Sequence, residues 1–216
     1  MHPRLALYSD QEIPENIHVN RRLISLIGVE YPKIGYISSS PDPARHYFSR
    51  KKSYYRALGC DLNVYVDSDV VAQPGLIPRL LECDAIHLTG GNTFTFLQWL
   101  QRANMLSVLR AFVGNQGVMI GASAGSLLMT SSIAIAELSG DTPDPSMTDL
   151  KALGLVDFCF WPHYQLGAEH RPRESAFLST VPFIYACPDG AGVIVDGPDV
   201  HLVGEVKAMR YGQVDA

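Results

Sequence analysis

The stretch that most constrains the fold is a short apolar run that leads into a glycine-flanked serine. Val118–Ile120 is apolar, and Gly121-Ala122-Ser123-Ala124-Gly125 follows it with the pattern Gly-x-Ser-x-Gly. Small residues allow a sharp turn between a strand and a helix, which lifts the serine above the strand end. The pattern predicts Ser123 as a candidate nucleophile, with the N–H of Ala124 facing its oxyanion. Alone, the pentapeptide fits an ordinary strand-to-helix turn equally well.

Strand patterns alternate with helical patterns through the first part of the chain. Five strands are predicted, at Leu5–Tyr8, Ile34–Ile37, Leu62–Val66, Ala85–Leu88 and Val118–Ala122. This alternation, with apolar residues in succession, predicts an α/β fold with a mostly parallel sheet and helices on both faces. Ligand sites of such sheets lie beyond the carboxyl ends of the strands. Both Ser123 and the loop Gly90–Thr93 fall there.

The clearest helical pattern follows the second strand. Asp42 is the candidate N-cap, Pro43 the candidate first helical residue, and Gly59 the stop signal. Its predicted apolar stripe consists of Ala44, Tyr47, Phe48, Tyr54, Tyr55 and Leu58.

The pattern changes after residue 130. Ile133–Ala136 is a candidate strand, and the polar segment Ser139–Asp149 is predicted to be a surface loop. Short strand signals punctuated by glycine and proline then indicate antiparallel hairpins near the C-terminus. No linker or repeat divides the chain, so residues 1–216 are predicted to form a single domain.

Composition argues against several classes of function. The formal net charge is −5 without a basic stripe, so we expect no nucleic-acid partner. No apolar run approaches the roughly 18 residues of a membrane span, and Met1–Arg4 lacks signal-peptide features. Widely spaced cysteines suit a reduced, cytoplasmic protein. A zinc site is not expected, because His163 and His170 have no third ligand at a recognisable spacing.

A serine nucleophile needs a general base and a group that orients it. His163 follows an apolar segment and a proline, which predicts a position at a strand end, while His170 stays open on position alone. Asp189, in a Pro-Asp-Gly turn, is the candidate acid. The competing acids are Asp141, Asp144 and, more weakly, Glu137. The order Ser123, His163, Asp189 differs from the Ser, acid, His order of α/β-hydrolases, which Asp141 would restore.

Four motifs in sequence resemble the peptidase E/cyanophycinase family of serine peptidases. They are Gly90-Gly91-Asn92-Thr93, Gly121–Gly125, Pro162-His163-Tyr164 and Pro188-Asp189-Gly190. Together they cover most of the chain and are far more specific than the pentapeptide alone. The resemblance implies a class-I glutamine-amidotransferase-like α/β fold with serine in place of the amidotransferase cysteine.

The resemblance implies a role for each matching residue. Ser123 matches the nucleophile and His163 the base, while Gly91 and Ala124 match the donors of the oxyanion hole. Asp189 matches the third member of the triad, which is usually glutamate in the family. Because aspartate is one methylene shorter, its carboxylate must come closer to His163.

Further positions are implied less directly. Asp141 falls near a loop aspartate of the family and is the alternative acid. Asn92 and Thr93 are expected to contact substrate from the glycine-rich loop. Arg171 and Arg173 lie in a segment where the family carries arginines, and they are expected to hold a substrate carboxylate.

The activity implied is hydrolysis of short peptides with an N-terminal aspartate, by a cytoplasmic monomer or homodimer without a metal or cofactor. Cyanophycinase-like cleavage of β-aspartyl-arginine is an alternative, although that subgroup typically has Gly-Gly-Asn-Gln where this chain has Gly-Gly-Asn-Thr. Another acyl hydrolase on the same triad is a second alternative, and a non-catalytic protein that binds a small molecule is a third. Glutamine amidotransfer is not expected, because no cysteine occupies the elbow.

Overall fold

A computed structural model describes residues 2–165, 181 and 183–210, and its centre is a seven-stranded sheet. The strands are β1 (Arg4–Tyr8), β2 (Lys33–Ile37), β3 (Asp61–Val66), β4 (Ala85–Leu88), β5 (Val118–Ala122), β6 (Cys159–Pro162), β7 (Phe183–Cys187), β8 (Gly192–Asp196), β9 (Asp199–Val203) and β10 (Lys207–Arg210). The large sheet has the order β3-β2-β4-β5-β1-β8-β9. Its first five strands are parallel, and β8 and β9 add an antiparallel hairpin.

Helices cover both faces of this sheet, as predicted. They are α1 (Ile17–Ile27), α2 (His46–Ala57), α3 (Leu76–Leu81), α4 (Thr93–Arg102), α5 (Met105–Gly114) and α6 (Ala124–Leu127). Side chains of β1 alternate between two buried clusters: Leu5 and Leu7 pack with α4 and α5, while Ala6 and Tyr8 pack with α1 and α2. This two-sided burial explains the nearly continuous apolar strands. The predicted α/β class is confirmed.

Helix α2 begins later than predicted. It starts at His46 rather than Pro43, because Arg45 adopts the left-handed conformation with φ 57°. Asp42 still caps the helix, since its carboxylate accepts from the backbone N–H groups of His46 and Tyr47 at 3.1 and 2.9 Å. Tyr47 was predicted to belong to the apolar stripe, but it is 70% exposed and is not part of the buried face of α2.

A second, smaller sheet with the order β10-β7-β6 carries the C-terminal strands that do not join the main sheet. In this sheet β6 and β7 are parallel, whereas β10 is antiparallel to β7. The strand predicted at Ile133–Ala136 is wrong: Ala134–Ser139 forms a 3₁₀ helix. Ile133 and Ile135 are buried there, but the segment joins neither sheet. No helix within the described ranges has the length and apolarity needed to cross a membrane.

Candidate active site

Ser123 lies at the end of β5, where the chain turns sharply into α6. Its φ of 51° and ψ of −109° are unusual for a residue with a side chain. Such strained conformations persist where the surroundings enforce them, and they cluster at functional sites. The backbone N–H of Ser123 donates to the carbonyl of Tyr8 on the neighbouring strand at 2.9 Å, which fixes the turn.

The structure brings Ser123, His163 and Asp189 together. Ser123 Oγ lies 2.8 Å from His163 Nε2, and His163 Nδ1 lies 2.7 Å from Asp189 Oδ1. The parallel pairing of β6 and β7 causes the second contact: Pro162 pairs with Cys187, so the residues beyond both strand ends are neighbours. His163 also has a positive φ, 57°, so two of the three residues have a strained backbone.

Ser9 is a member of the site that the sequence interpretation missed. Its hydroxyl donates to Asp189 Oδ1 at 2.9 Å and accepts from the backbone N–H of His163 at 2.7 Å. Ser9 is buried and directly follows β1, the strand beside β5. Its position in the chain could have indicated Ser9, because Ser9 is the first polar residue beyond the carboxyl end of a parallel strand.

Asp141, the alternative acid, contacts the first residue of α4, Thr93. Its Oδ2 accepts from the backbone N–H of Thr93 at 2.9 Å and from the Thr93 hydroxyl. Thr93 is fully buried, and its hydroxyl donates to Asp141. Asn92 is the N-cap of α4, where its Oδ1 accepts from the Thr95 N–H at 2.9 Å. These contacts give Asp141, Asn92 and Thr93 roles in shaping the loop.

The two expected oxyanion donors lie in the turns beside Ser123. Ala124 is the first residue of α6, and the helix's own hydrogen bonds leave such an N–H unused. Gly91 has φ 131°, and a Cβ there would come within 2.2 Å of Ser39 Oγ. Ser39 in turn donates to the carbonyl of Gly90 at 2.7 Å. A side chain at position 91 would therefore disturb the loop that carries the Gly91 N–H.

A cavity of about 500 Å³ opens at these residues and is lined by Ser123, His163 and Gly91. Charged side chains also line it, from the segment after β1 and from α2: Asp10, Glu12, Arg50 and Lys51. Glu12 Oε1 lies 2.8 Å from Lys51 Nζ, and Glu12 Oε2 is paired with Arg50. The sequence interpretation missed these residues, which lie more than seventy positions before Ser123.

Burial and pairing shift the pKa of several groups in this cavity. Burial disfavours the charged form of Glu12, but the hydrogen bonds and charges of Lys51 and Arg50 outweigh it and lower the pKa of Glu12. Burial lowers the pKa of Lys51, and the Glu12 carboxylate offsets only part of this effect. Two effects hold the pKa of His87 well below its ordinary value: burial, which is the larger, and repulsion from Lys51. His87 is therefore a neutral imidazole at physiological pH.

Arg171 and Arg173, expected to hold a substrate carboxylate, lie outside the described residues, as does His170. Within the described ranges no group of three or more His, Cys, Asp or Glu side chains forms a candidate metal site. All four cysteines are free, and none lies at the elbow.

A comparison with protein-family models matches residues 5–203 to Peptidase family S51. Curated relatives include the uncharacterized peptidase YgaJ of Bacillus subtilis, 26% identical over 83% of this chain and 76% of its own. Peptidase E of Nostoc is 26% identical over 99% of this chain and 91% of its own. The Drosophila melanogaster protein named "Probable alpha-aspartyl dipeptidase" is 31% identical, over 64% of this chain and 61% of its own length.

Two solved structures share the fold. A Listeria monocytogenes protein provisionally named peptidase E superposes with a TM-score of 0.73 and 22% identity, covering 94% of this chain and 98% of its own. A peptidase from an acI-B1 Actinobacterium gives a TM-score of 0.70 at 13% identity, covering 99% and 96%.

Proposed function

This chain belongs to peptidase family S51, and on that premise we propose that it is a serine peptidase that hydrolyses short peptides with an N-terminal aspartate. The observation that carries the proposal is the continuous line of hydrogen bonds from Ser123 Oγ through His163 to Asp189. The relatives named peptidase E and alpha-aspartyl dipeptidase support the aspartyl substrate class.

In the proposed mechanism His163 acts first as general base. A carboxylate only accepts hydrogen bonds, so Asp189 keeps the proton on His163 Nδ1 and leaves Nε2 free to take the Ser123 proton. Ser123 Oγ attacks the carbonyl carbon of the scissile bond. The N–H groups of Gly91 and Ala124 stabilise the oxyanion, by about 3–4 kcal/mol for each donor. Imidazolium then protonates the leaving amine, and water hydrolyses the acyl-enzyme.

The direct test replaces the nucleophile. Ser123→Ala should lower kcat for Asp-Leu by at least about 10⁴-fold, since removing a triad serine alone abolishes most of the catalysis. A fluorophosphonate probe should label the wild type and not this variant. Ser107→Ala is the matched control, because Ser107 is exposed and its hydroxyl bonds locally, to the carbonyl of Asn104 just before α5. Undiminished Asp-Leu hydrolysis by Ser123→Ala would overturn the proposal.

Three substrates assayed side by side separate the alternatives. We expect the wild type to cleave Asp-Leu with a higher kcat/KM than β-Asp-Arg or a p-nitrophenyl ester. Preference for β-Asp-Arg would indicate a cyanophycinase-like enzyme, and preference for the ester a general acyl hydrolase. Failure of the probe to label native protein would favour a non-catalytic binding protein.

A further inference from the structure

A line of buried hydrogen bonds runs behind the cavity beside Ser123. Lys51 Nζ donates to Gln11 Oε1 at 2.8 Å, and Gln11 Nε2 donates to the Tyr55 hydroxyl oxygen at 3.0 Å. Tyr55 Oη lies 3.1 Å from His87 Nδ1. An ammonium has only donors, so it fixes the orientation of the Gln11 amide. Once the Gln11 amide is oriented, the donor and the acceptor of each further hydrogen bond in the line can be assigned.

This direction determines which nitrogen of His87 carries the proton. The Tyr55 oxygen already accepts from Gln11, and among the described side chains His87 Nδ1 is the acceptor within reach of its O–H, so this O–H donates to Nδ1. The buried imidazole is neutral, so its single proton lies on Nε2. His87 is fully buried and lines the cavity, yet no described residue accepts a hydrogen bond from Nε2. A buried donor without an acceptor is costly, which points to an acceptor supplied by a ligand.

Lys51 adds a charge to the same wall. Its side chain is 10% exposed, and two of its three N–H groups are used by Gln11 and Glu12. Glu12 is shared with Arg50, so one carboxylate serves two cations. Asp10, the other acid that lines this part of the cavity, accepts from the neighbouring N–H of Gln11. The third N–H of Lys51 and the N–H of His87 therefore have no hydrogen-bond acceptor among the described residues.

We infer that Lys51 and His87 determine substrate specificity by binding a carboxylate of the peptide in this cavity. The inference rests on the proposed function for the identity of the ligand, because an aspartyl dipeptide carries two carboxylates. Carboxylate oxygens accept charge-assisted hydrogen bonds both from an ammonium and from a neutral imidazole N–H. The same cavity is lined by Ser123, so one substrate can contact both groups.

The first test measures binding and requires no turnover. Isothermal titration calorimetry with L-aspartate should show binding to the wild type and at least about tenfold weaker binding to Lys51→Met and to His87→Phe, as expected for loss of a hydrogen bond to a charged group. Phenylalanine keeps a ring against Tyr36, on which His87 now stacks. Arg56→Met, which removes an exposed cation from the same helix, should leave the Kd unchanged.

Absence of L-aspartate binding to the wild type would overturn the inference, and so would an unchanged Kd in both Lys51→Met and His87→Phe. This result is separable from a failure of the proposed function. A protein whose Ser123 is inert would still bind aspartate, whereas a normal rate of fluorophosphonate labelling in Lys51→Met would show an intact nucleophile.

A kinetic comparison identifies which carboxylate is bound. The kcat/KM values of wild type and Lys51→Met are compared for Asp-Leu, Asn-Leu and Asp-Leu-amide. If the aspartyl side chain binds at Lys51, the variant should lose at least about tenfold of the preference for Asp-Leu over Asn-Leu. If the C-terminal carboxylate binds there, the preference over the amide should fall instead. An equal reduction for all three peptides would contradict the inference.

Discussion

Asp189 stands where the peptidase E/cyanophycinase family usually has the longer glutamate, and its surroundings allow the shorter acid to reach His163. The register of β6 and β7 places both residues beyond adjacent strand ends, with 2.7 Å between Nδ1 and Oδ1. Ser9 donates to the same carboxylate oxygen and accepts from the His163 N–H. The carboxylate and the imidazole are thus held in place by a third side chain from the main sheet.

The two candidate acids should respond very differently to the same isosteric change. Asp189→Asn should lower kcat for Asp-Leu by about 10³- to 10⁴-fold, because an amide N–H beside Nδ1 favours the wrong tautomer of His163. Asp141→Asn should leave kcat nearly unchanged, since its contacts are with the loop residue Thr93. Steady-state kinetics of both variants provide the comparison. The reverse ranking would assign the orienting role to Asp141.

The sequence predicted the residues of the proposed triad that belong to recognisable local motifs. Ser123 was indicated by the elbow pattern, and His163 and Asp189 by turns that follow apolar strands. Ser9 and Lys51 could not be predicted in the same way, because each is an ordinary residue whose importance arises from tertiary contacts with distant segments. Arg171 and Arg173 stay predictions, since they lie outside the described residues.

At the level of elements, the elbow depends on very close packing between α6 and β4. A Cβ at Gly125 would lie 2.2 Å from the carbonyl oxygen and 2.6 Å from the carbonyl carbon of Leu88. These are backbone atoms of a central strand, so they cannot move without disturbing the sheet. Packing against β4 therefore requires glycine at position 125, independently of any reaction at the site.

Gly125→Ala should lower the free energy of unfolding by about 1–3 kcal/mol, the usual cost of overpacking a core. It should also reduce Asp-Leu hydrolysis, because the displaced helix carries the N–H of Ala124. Gly114→Ala is the control, because no atom of the described residues lies within 4 Å of a Cβ there. Urea denaturation of both variants measures the difference. Equal stabilities would show that the elbow can relax without cost.

The regular elements were predictable where the hydrophobic pattern was long or bounded by clear signals. All five parallel strands were predicted, and the structure has them within two residues of the expected bounds. Ile133–Ala136 was not assigned correctly, because a short apolar run does not distinguish a strand from buried helical turns. The parallel pairing of β6 with β7 joins segments separated by more than twenty residues, and no local pattern encodes it.

At the scale of the whole molecule, the two faces of the main sheet differ in chemistry. Among the described residues, the cluster beneath α4 and α5 contains one buried tyrosine, Tyr164, whereas the cluster beneath α1 and α2 contains four: Tyr8, Tyr36, Tyr55 and Tyr65. His87 belongs to this second face, with its ring stacked on Tyr36 at 5.6 Å between centroids and bonded to Tyr55. The fold therefore buries a titratable group that stays neutral.

This buried histidine should make stability depend on pH. Burial lowers the pKa of His87 in the folded state, so between that pKa and about 6.5 only the unfolded chain binds the proton, and stability falls as pH falls. From pH 7.5 to 5.5 the loss from this group approaches about 1.4 kcal/mol. The stability of His87→Phe should lack this contribution. Parallel curves of unfolding free energy against pH for the two proteins would contradict the prediction.

The division of the site between two sheets has a consequence for how such an enzyme diversifies. The proposed nucleophile and both proposed oxyanion donors belong to turns of the large sheet, whereas His163 and Asp189 follow strands of the small one. In the proposed mechanism, the groups that bind the scissile carbonyl and the groups that transfer the proton thus lie on separate sheets, linked through Ser9. Changes in the small sheet can retune proton transfer while the cradle for the scissile carbonyl stays intact, which makes an exchange of acids, such as aspartate for glutamate, evolutionarily accessible.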